Sequence, residues 1–224
     1  MIKIYSVEEA MYKILKRKPL HLDEFPPTTI SRTEDIFGEG VTPPQAVEKI
    51  LKSINQEGDT AVRYWSKTID NFDEDVFSIL PEELEKAYNT LPKKTQDVMH
   101  ASAKRIRAFY ENQPINTWMI DEEGGRLGQR FSPIERVGVY VPGGTAPLPS
   151  SLLMSVIPAH VAGVKNIIVC TPPQPHPSIL AAAFLCGVNQ IYQVGGAQAI
   201  AAMALGTETI PQMDKIVGAG NLFV

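Results

Sequence analysis

Apolar positions follow two different periods along the chain, and the change falls near residue 125. In the first part the spacing is helical. Val47, Ile50, Leu51 and Ile54 stand at offsets of 0, 3, 4 and 7, with Thr42 placed to cap and Pro43 at the first helical position, so a helix is predicted up to Gly58. Asp59 is placed to cap a second helix through Val62 and Trp65, and Pro81 opens a third with the stripe Leu84, Ala87, Tyr88 and Leu91. A longer helix is predicted after Pro92, with Val98, Ser102, Ile106 and Phe109 as its stripe and Pro114 as its stop. Its Lys and Arg residues read as a solvated face.

The second part alternates short β-branched runs with helices closed by glycine. Strands are predicted at Gly138 to Val141, Lys165 to Cys170, Gln190 to Val194 and Lys215 to Val217. Between them lie helices from about Ser150 to Ala162, from Pro177 to Cys186 and from Ala197 to Leu205, ended by Gly163, Gly187 and Gly206. Strands spaced in this way pair in parallel through right-handed crossovers, which place helices on both faces of an open sheet. The expected fold is α/β: a mainly helical layer over residues 1–125, then a Rossmann-like, mostly parallel sheet over 126–224 that is incomplete at its C-terminus. An uncovered strand at Lys215 to Val217 would leave an edge open to association.

Length and composition narrow the function class. The 224 residues allow one large domain or two small ones, and 44% hydrophobic with 21% charged residues is globular composition. A net charge of −4 supplies no basic excess for a phosphate backbone, so nucleic acid is not expected as a partner. Glu8 and Glu9 interrupt any export signal, and the apolar runs Ile179 to Cys186 and Ala197 to Leu205 are far shorter than the roughly 20 residues of a membrane helix. Two cysteines, Cys170 and Cys186, form neither a disulfide framework nor a metal spacing, which points to a reducing compartment, the cytoplasm.

Candidate chemistry gathers at the strand ends. Three predicted strands run into glycines: Gly143 and Gly144, Gly195 and Gly196, Gly218 and Gly220. Ligands of open α/β sheets bind beyond the carboxyl ends of the strands, and glycine lets the backbone come close to them. Tight turns alone also select glycine. Neither the full dinucleotide fingerprint nor a phosphate-loop lysine is present, so the pattern alone supports a small-molecule site for a nucleotide-like ligand. His21, His100, His160 and His176 lack any metal-ligand spacing. Cys170 ends a strand on the ligand edge, where a nucleophile is one reading and a small buried hydrophobe the other.

Pro133 to Gly144 (PIERVGVYVPGG), Ala146 to Leu148, Leu152 to Met154, Val194 to Ala202 (VGGAQAIAA), Gly206 to Glu208 and Asp214 to Val224 (DKIVGAGNLFV) together resemble histidinol dehydrogenase in order and spacing. The segment from about Ile30 to Pro114 is similar to that family's first helical layer. The resemblance implies an oxidoreductase of histidine biosynthesis that takes L-histidinol through the aldehyde to L-histidine with two NAD and a zinc ion. By matching position it assigns Tyr140, Gln198 and Asn221 to NAD. It also implies a homodimer in the full-length enzyme.

Two departures accompany it. Ala219 stands where the family usually has proline between the last two loop glycines, which leaves that loop looser. The family's zinc ligands and its acid and base residues lie downstream of the asparagine loop, so no catalytic or metal residue is expected within this chain. It is expected to be the N-terminal part of a longer enzyme and inactive alone. The alternatives are a noncatalytic nucleotide-binding module and an α/β scaffold without nucleotide.

Overall fold

The computed structural model describes residues 3–16, 25–143, 147–220 and 223–224. The chain divides into two compact units, Met1–Val41 and Thr42–Val224. Within the first, α1 (Val7–Lys13) is opened by a Ser6 and Glu9 capping box, and α2 (Pro27–Phe37) begins on proline and ends at Gly38.

The second unit opens with α3 (Pro43–Glu57), where the Thr42 cap, the Gly58 stop and the burial of Ile50 and Ile54 are as expected, but Leu51 is exposed, Val47 half-buried, and Ala46 fills the core-facing stripe instead. Gly58 also precedes α4 (Asp59–Asp70), and here the expected cap differs. Asp59 is the first helical residue, and its carboxylate accepts hydrogen bonds from the backbone and hydroxyl of Thr209 rather than capping its own helix. Glu208 takes the capping place instead, accepting from the Asp59 N–H at 2.8 Å. A carboxylate from a distant loop thus meets the positive end of α4.

A two-residue strand, β1 (Ser78–Ile79), precedes α5 (Pro81–Thr90) and α6 (Lys93–Glu111). On α6 the expected stripe is met only in part: Ile106 packs against the core as expected, but Val98 and Phe109 are exposed, and Met99 and Ala103 take their place. The helix carries apolar residues on two neighbouring faces, and its packing on α7 selects between them. Next comes a hairpin absent from the sequence reading, β2 (Trp118–Glu122) with β3 (Gly125–Gln129). Both strands are exposed along their whole length and Trp118, Met119 and Ile120 stand in a row, so no two-residue period of buried positions marks them.

The α/β core follows in the expected order: β4 (Arg136–Tyr140), α7 (Pro149–Val161), β5 (Asn166–Thr171), α8 (Pro177–Leu185), β6 (Ile191–Gln193), α9 (Gly196–Leu205) and β7 (Lys215–Gly218). The main sheet runs β1-β6-β5-β4-β7, with β1 antiparallel and the other four parallel. Strands β4, β5 and β6 step in one direction, and the chain then returns to place β7 on the other side of β4. That reversal opens a crevice beyond the carboxyl ends of β4 and β7.

Helices α7 and α8 cover one face and are backed by α5 and α6; α9 covers the other and is backed by α3 and α4. Val137, Val139, Ile167, Val169 and Ile191 belong to the first interface. On the second, Gly138 lets α9 approach closely, since a Cβ there would stand 2.6 Å from Met203 Sδ. Among the described residues β7 pairs only with β4 and forms one edge of the sheet; β1 covers the opposite edge.

Candidate functional site

The crevice between β4 and β7 holds a cavity of about 470 Å³, lined by Tyr140, Ile200, Ile216, Val217, Gly218, Gly220 and Val224. This volume is within the roughly 300–1,000 Å³ usual for small-molecule sites. Among the described residues its walls are apolar side chains and bare backbone, with one phenol at the end of β4. Gly218 has a φ of +151°, and a Cβ on it would collide with the Tyr140 carbonyl, so glycine is required where β7 meets β4.

Tyr140 is buried, and its hydroxyl accepts a hydrogen bond from the Gly196 N–H at 3.1 Å. Burial raises the phenol above its ordinary range; the Gly196 bond opposes this, and the nearby Asp70 charge adds to it. The hydroxyl therefore stays protonated, with its own proton available to a second acceptor. Gly196 opens α9 with a φ of +53°, and a Cβ there would stand 2.7 Å from Gln198 Oε1. Gln198 is fully buried, and its Nε2 donates to Asp70 Oδ2 at 2.9 Å. Its Oε1 has no hydrogen-bond partner. Tyr140 and Gln198 thus converge on the first turn of α9. Asn221, the third residue assigned to the cofactor, lies outside the described residues.

Two of the three glycine turns serve a different purpose from the one their sequence suggests. A Cβ on Gly143 would stand 2.9 Å from Pro172 Cγ, and one on Gly195 would stand 3.2 Å from the same atom. The loops after β4 and β6 therefore close on one proline ring at the end of β5, and glycine is needed there for packing as much as for ligand approach.

The chemistry weighed for other residues resolves into structural roles. Cys170 is fully buried in β5 and its thiol is pushed far up by burial, which leaves no thiolate for attack. The Cys186 thiol is pushed up to about 12 for the same reason. His176 caps α8, accepting from the Ser178 N–H; His160 contacts the Cys186 carbonyl and His100 the Tyr88 hydroxyl. His21 lies outside the described residues. Among the described residues no three His, Cys, Asp or Glu side chains come together as a metal site.

A sequence model of histidinol dehydrogenase matches residues 40–224. The chain belongs to the histidinol dehydrogenase family. It is 45% identical over 203 residues to histidinol dehydrogenase of Deinococcus radiodurans, covering 89% of this chain and 46% of that protein. With the Sulfurimonas denitrificans enzyme the identity is 46% over 194 residues, covering 85% of this chain and 45% of the relative. The crystal structure of histidinol dehydrogenase from Elizabethkingia anophelis superposes with a TM-score of 0.78 at 35% identity, covering 89% of this chain and 48% of that one. The chain spans about half the length of the family members it matches. Family membership accounts for the helical layer as well as the sheet, since the match begins just before Thr42.

Asp70 was not found by sequence reasoning. An acidic residue closing a helix opposes the helix dipole, and Asp70 stands in the last turn of α4 before Asn71 in the left-handed region, φ 53°. That misplacement is the one signal the sequence carries; Gln198, from which Asp70 accepts, lies 128 positions away.

Proposed function

We propose that this chain supplies the NAD-binding part of a histidinol dehydrogenase, which oxidises L-histidinol through the aldehyde to L-histidine. The observation that carries the reading is the cavity at the β4/β7 crevice, walled by Tyr140, Ile200 and the backbone of Gly218, in a chain of this family. The site fits a nicotinamide nucleotide. Ile200, Ile216 and Val217 offer flat apolar support for a ring, the backbone of Gly218 and Gly220 allows close approach, and Tyr140 offers a protonated phenol. Bound there, NAD supplies the hydride acceptor. Tyr140 and Gln198 orient it, with Asn221 assigned to the same task.

In this reading residues 126–224 hold the nucleotide, and α3 and α4 brace α9 from behind. The described residues offer no ligand set for zinc, so no step through a metal is assigned to them. The family's zinc site and acid and base residues are proposed to come from sequence beyond these residues, in a homodimeric cytoplasmic enzyme. No described helix is long and apolar enough to cross a membrane.

Calorimetric titration with NAD tests the reading. Saturable binding is expected, and Ile200→Trp, which fills the cavity, is expected to weaken it at least tenfold. Absence of saturable heat at millimolar NAD would overturn it. Histidinol-dependent NADH formation by residues 1–224 with added zinc is expected to stay at background; turnover above it would place acid and base groups within this chain.

A further inference from the structure

We propose that Asp70 is a positioning residue for the nucleotide site, setting which end of the Gln198 carboxamide faces the first turn of α9. This rests on the nucleotide reading of Tyr140 and Gln198 and adds to it a residue from the helical layer. An ionised carboxylate only accepts hydrogen bonds, so the 2.9 Å contact from Gln198 Nε2 to Asp70 Oδ2 defines the amide orientation. The reverse orientation would set Oε1 against the carboxylate. Gln198 Oε1 is therefore held on the other side, beside Gly196, fully buried and without a partner.

A buried acceptor left unpaired is unfavourable, and such a group in a native protein calls for a donor. The donor has to arrive at the turn whose N–H is already taken by the Tyr140 hydroxyl at 3.1 Å. A nucleotide carries suitable donors in its ribose hydroxyls and in the amide of its nicotinamide. Its pyrophosphate carries none. The arrangement thus assigns Gln198 Oε1 to a hydroxyl or amide of the ligand, and Asp70 to keeping that acceptor pointed at it. Gly196 supports the same assignment, because any side chain there would collide with Oε1. An acidic residue in the last turn of α4 faces the negative end of the helix.

The test combines NAD titration with side-chain amide NMR on the 224-residue chain. Asp70→Ala is expected to weaken NAD about tenfold, while Asp70→Glu, whose carboxylate still only accepts, stays within about threefold of wild type. Without NAD, the Gln198 side-chain NH₂ resonances are expected to shift in Asp70→Ala and to stay near their wild-type position in Asp70→Glu. Should Asp70→Ala not fold, Asp70→Ser replaces it, because a hydroxyl pairs with either end of the carboxamide and removes only the direction. A purely structural role would lower the melting temperature and leave NAD affinity unmoved, which overturns the proposal. Failure of the wild-type chain to bind NAD overturns the nucleotide reading instead, and the NMR measurement still judges the hold of Asp70 on Gln198.

Discussion

The Tyr140 hydroxyl accepts the Gly196 N–H at 3.1 Å, a bond that ties the end of β4 to the first turn of α9 across 56 positions of sequence. It satisfies one of the amides a helix start leaves without an intrahelical partner. It also holds the phenol at the wall of the cavity.

Tyr140→Phe keeps the ring and removes the acceptor. The Gly196 N–H then loses its partner, and a loss of about 1–2 kcal/mol in folding free energy is expected. Urea denaturation should show a lower midpoint with an unchanged slope, and NAD titration a weaker affinity. Stability and affinity equal to wild type would show that the bond contributes nothing.

The acid limb of the stability profile should carry the mark of Asp214. Its Oδ2 accepts the Arg136 N–H at 3.0 Å and its Oδ1 accepts from Arg136 Nη2 at 2.9 Å, anchoring the start of β4 beside β7. The hydrogen bond from the Arg136 side chain holds the carboxyl below its ordinary 3.8. A depressed folded value means that the unfolded chain binds the proton more readily. The stabilisation is therefore present above about pH 4 and is lost as pH falls through the lower, folded value. Arg136 remains charged throughout. Asp214→Asn should flatten the fall in urea midpoint between pH 5 and pH 3; an identical fall in both proteins would assign the acid loss elsewhere.

The two thiols should be inert in the folded chain. Burial places Cys186 at about 12 and Cys170 higher still, both above the ordinary value of 9.0. With folded values raised, the contribution of these groups to stability is complete below pH 9. It declines as pH rises further, because the unfolded chain releases those protons first. Iodoacetamide at pH 8, followed by digestion and mass spectrometry, should leave Cys170 unmodified in the native chain and label it in urea. Rapid native labelling of Cys170 would restore it as a candidate nucleophile.

Local pattern was enough for much of this protein. The strands β4 and β5 are legible because a parallel strand covered on both faces must be apolar throughout, edge strand β7 from its β-branched Ile216 and Val217, and each crossover helix here is closed by a residue able to turn the chain, such as Gly163 or Gly206. Helix α3 is legible for a related reason, since Thr42, Pro43 and Gly58 mark both ends of an apolar stripe. The likeness carried by the strand-end motifs singled out Tyr140 and Gln198; Asn221 from the same motifs lies outside the described residues.

What the pattern could not decide depends on partners far apart in the chain. The face of α6 that is buried, through Met99 rather than Val98, is chosen by the surface of α7. Strand β1 has two residues, too few for any period, and exists because β6 offers an unpaired edge. Asp59 bonds Thr209 across 150 positions instead of capping α4, Asp70 reaches Gln198 across 128, and Pro172 claims the space beside Gly143 and Gly195. Burial and turn chemistry act between near neighbours in sequence, so the chain states them locally. The pairing of single polar atoms and the fit of one ring against two loops arise only when the crossovers have packed α4 and α9 on the same side of the sheet.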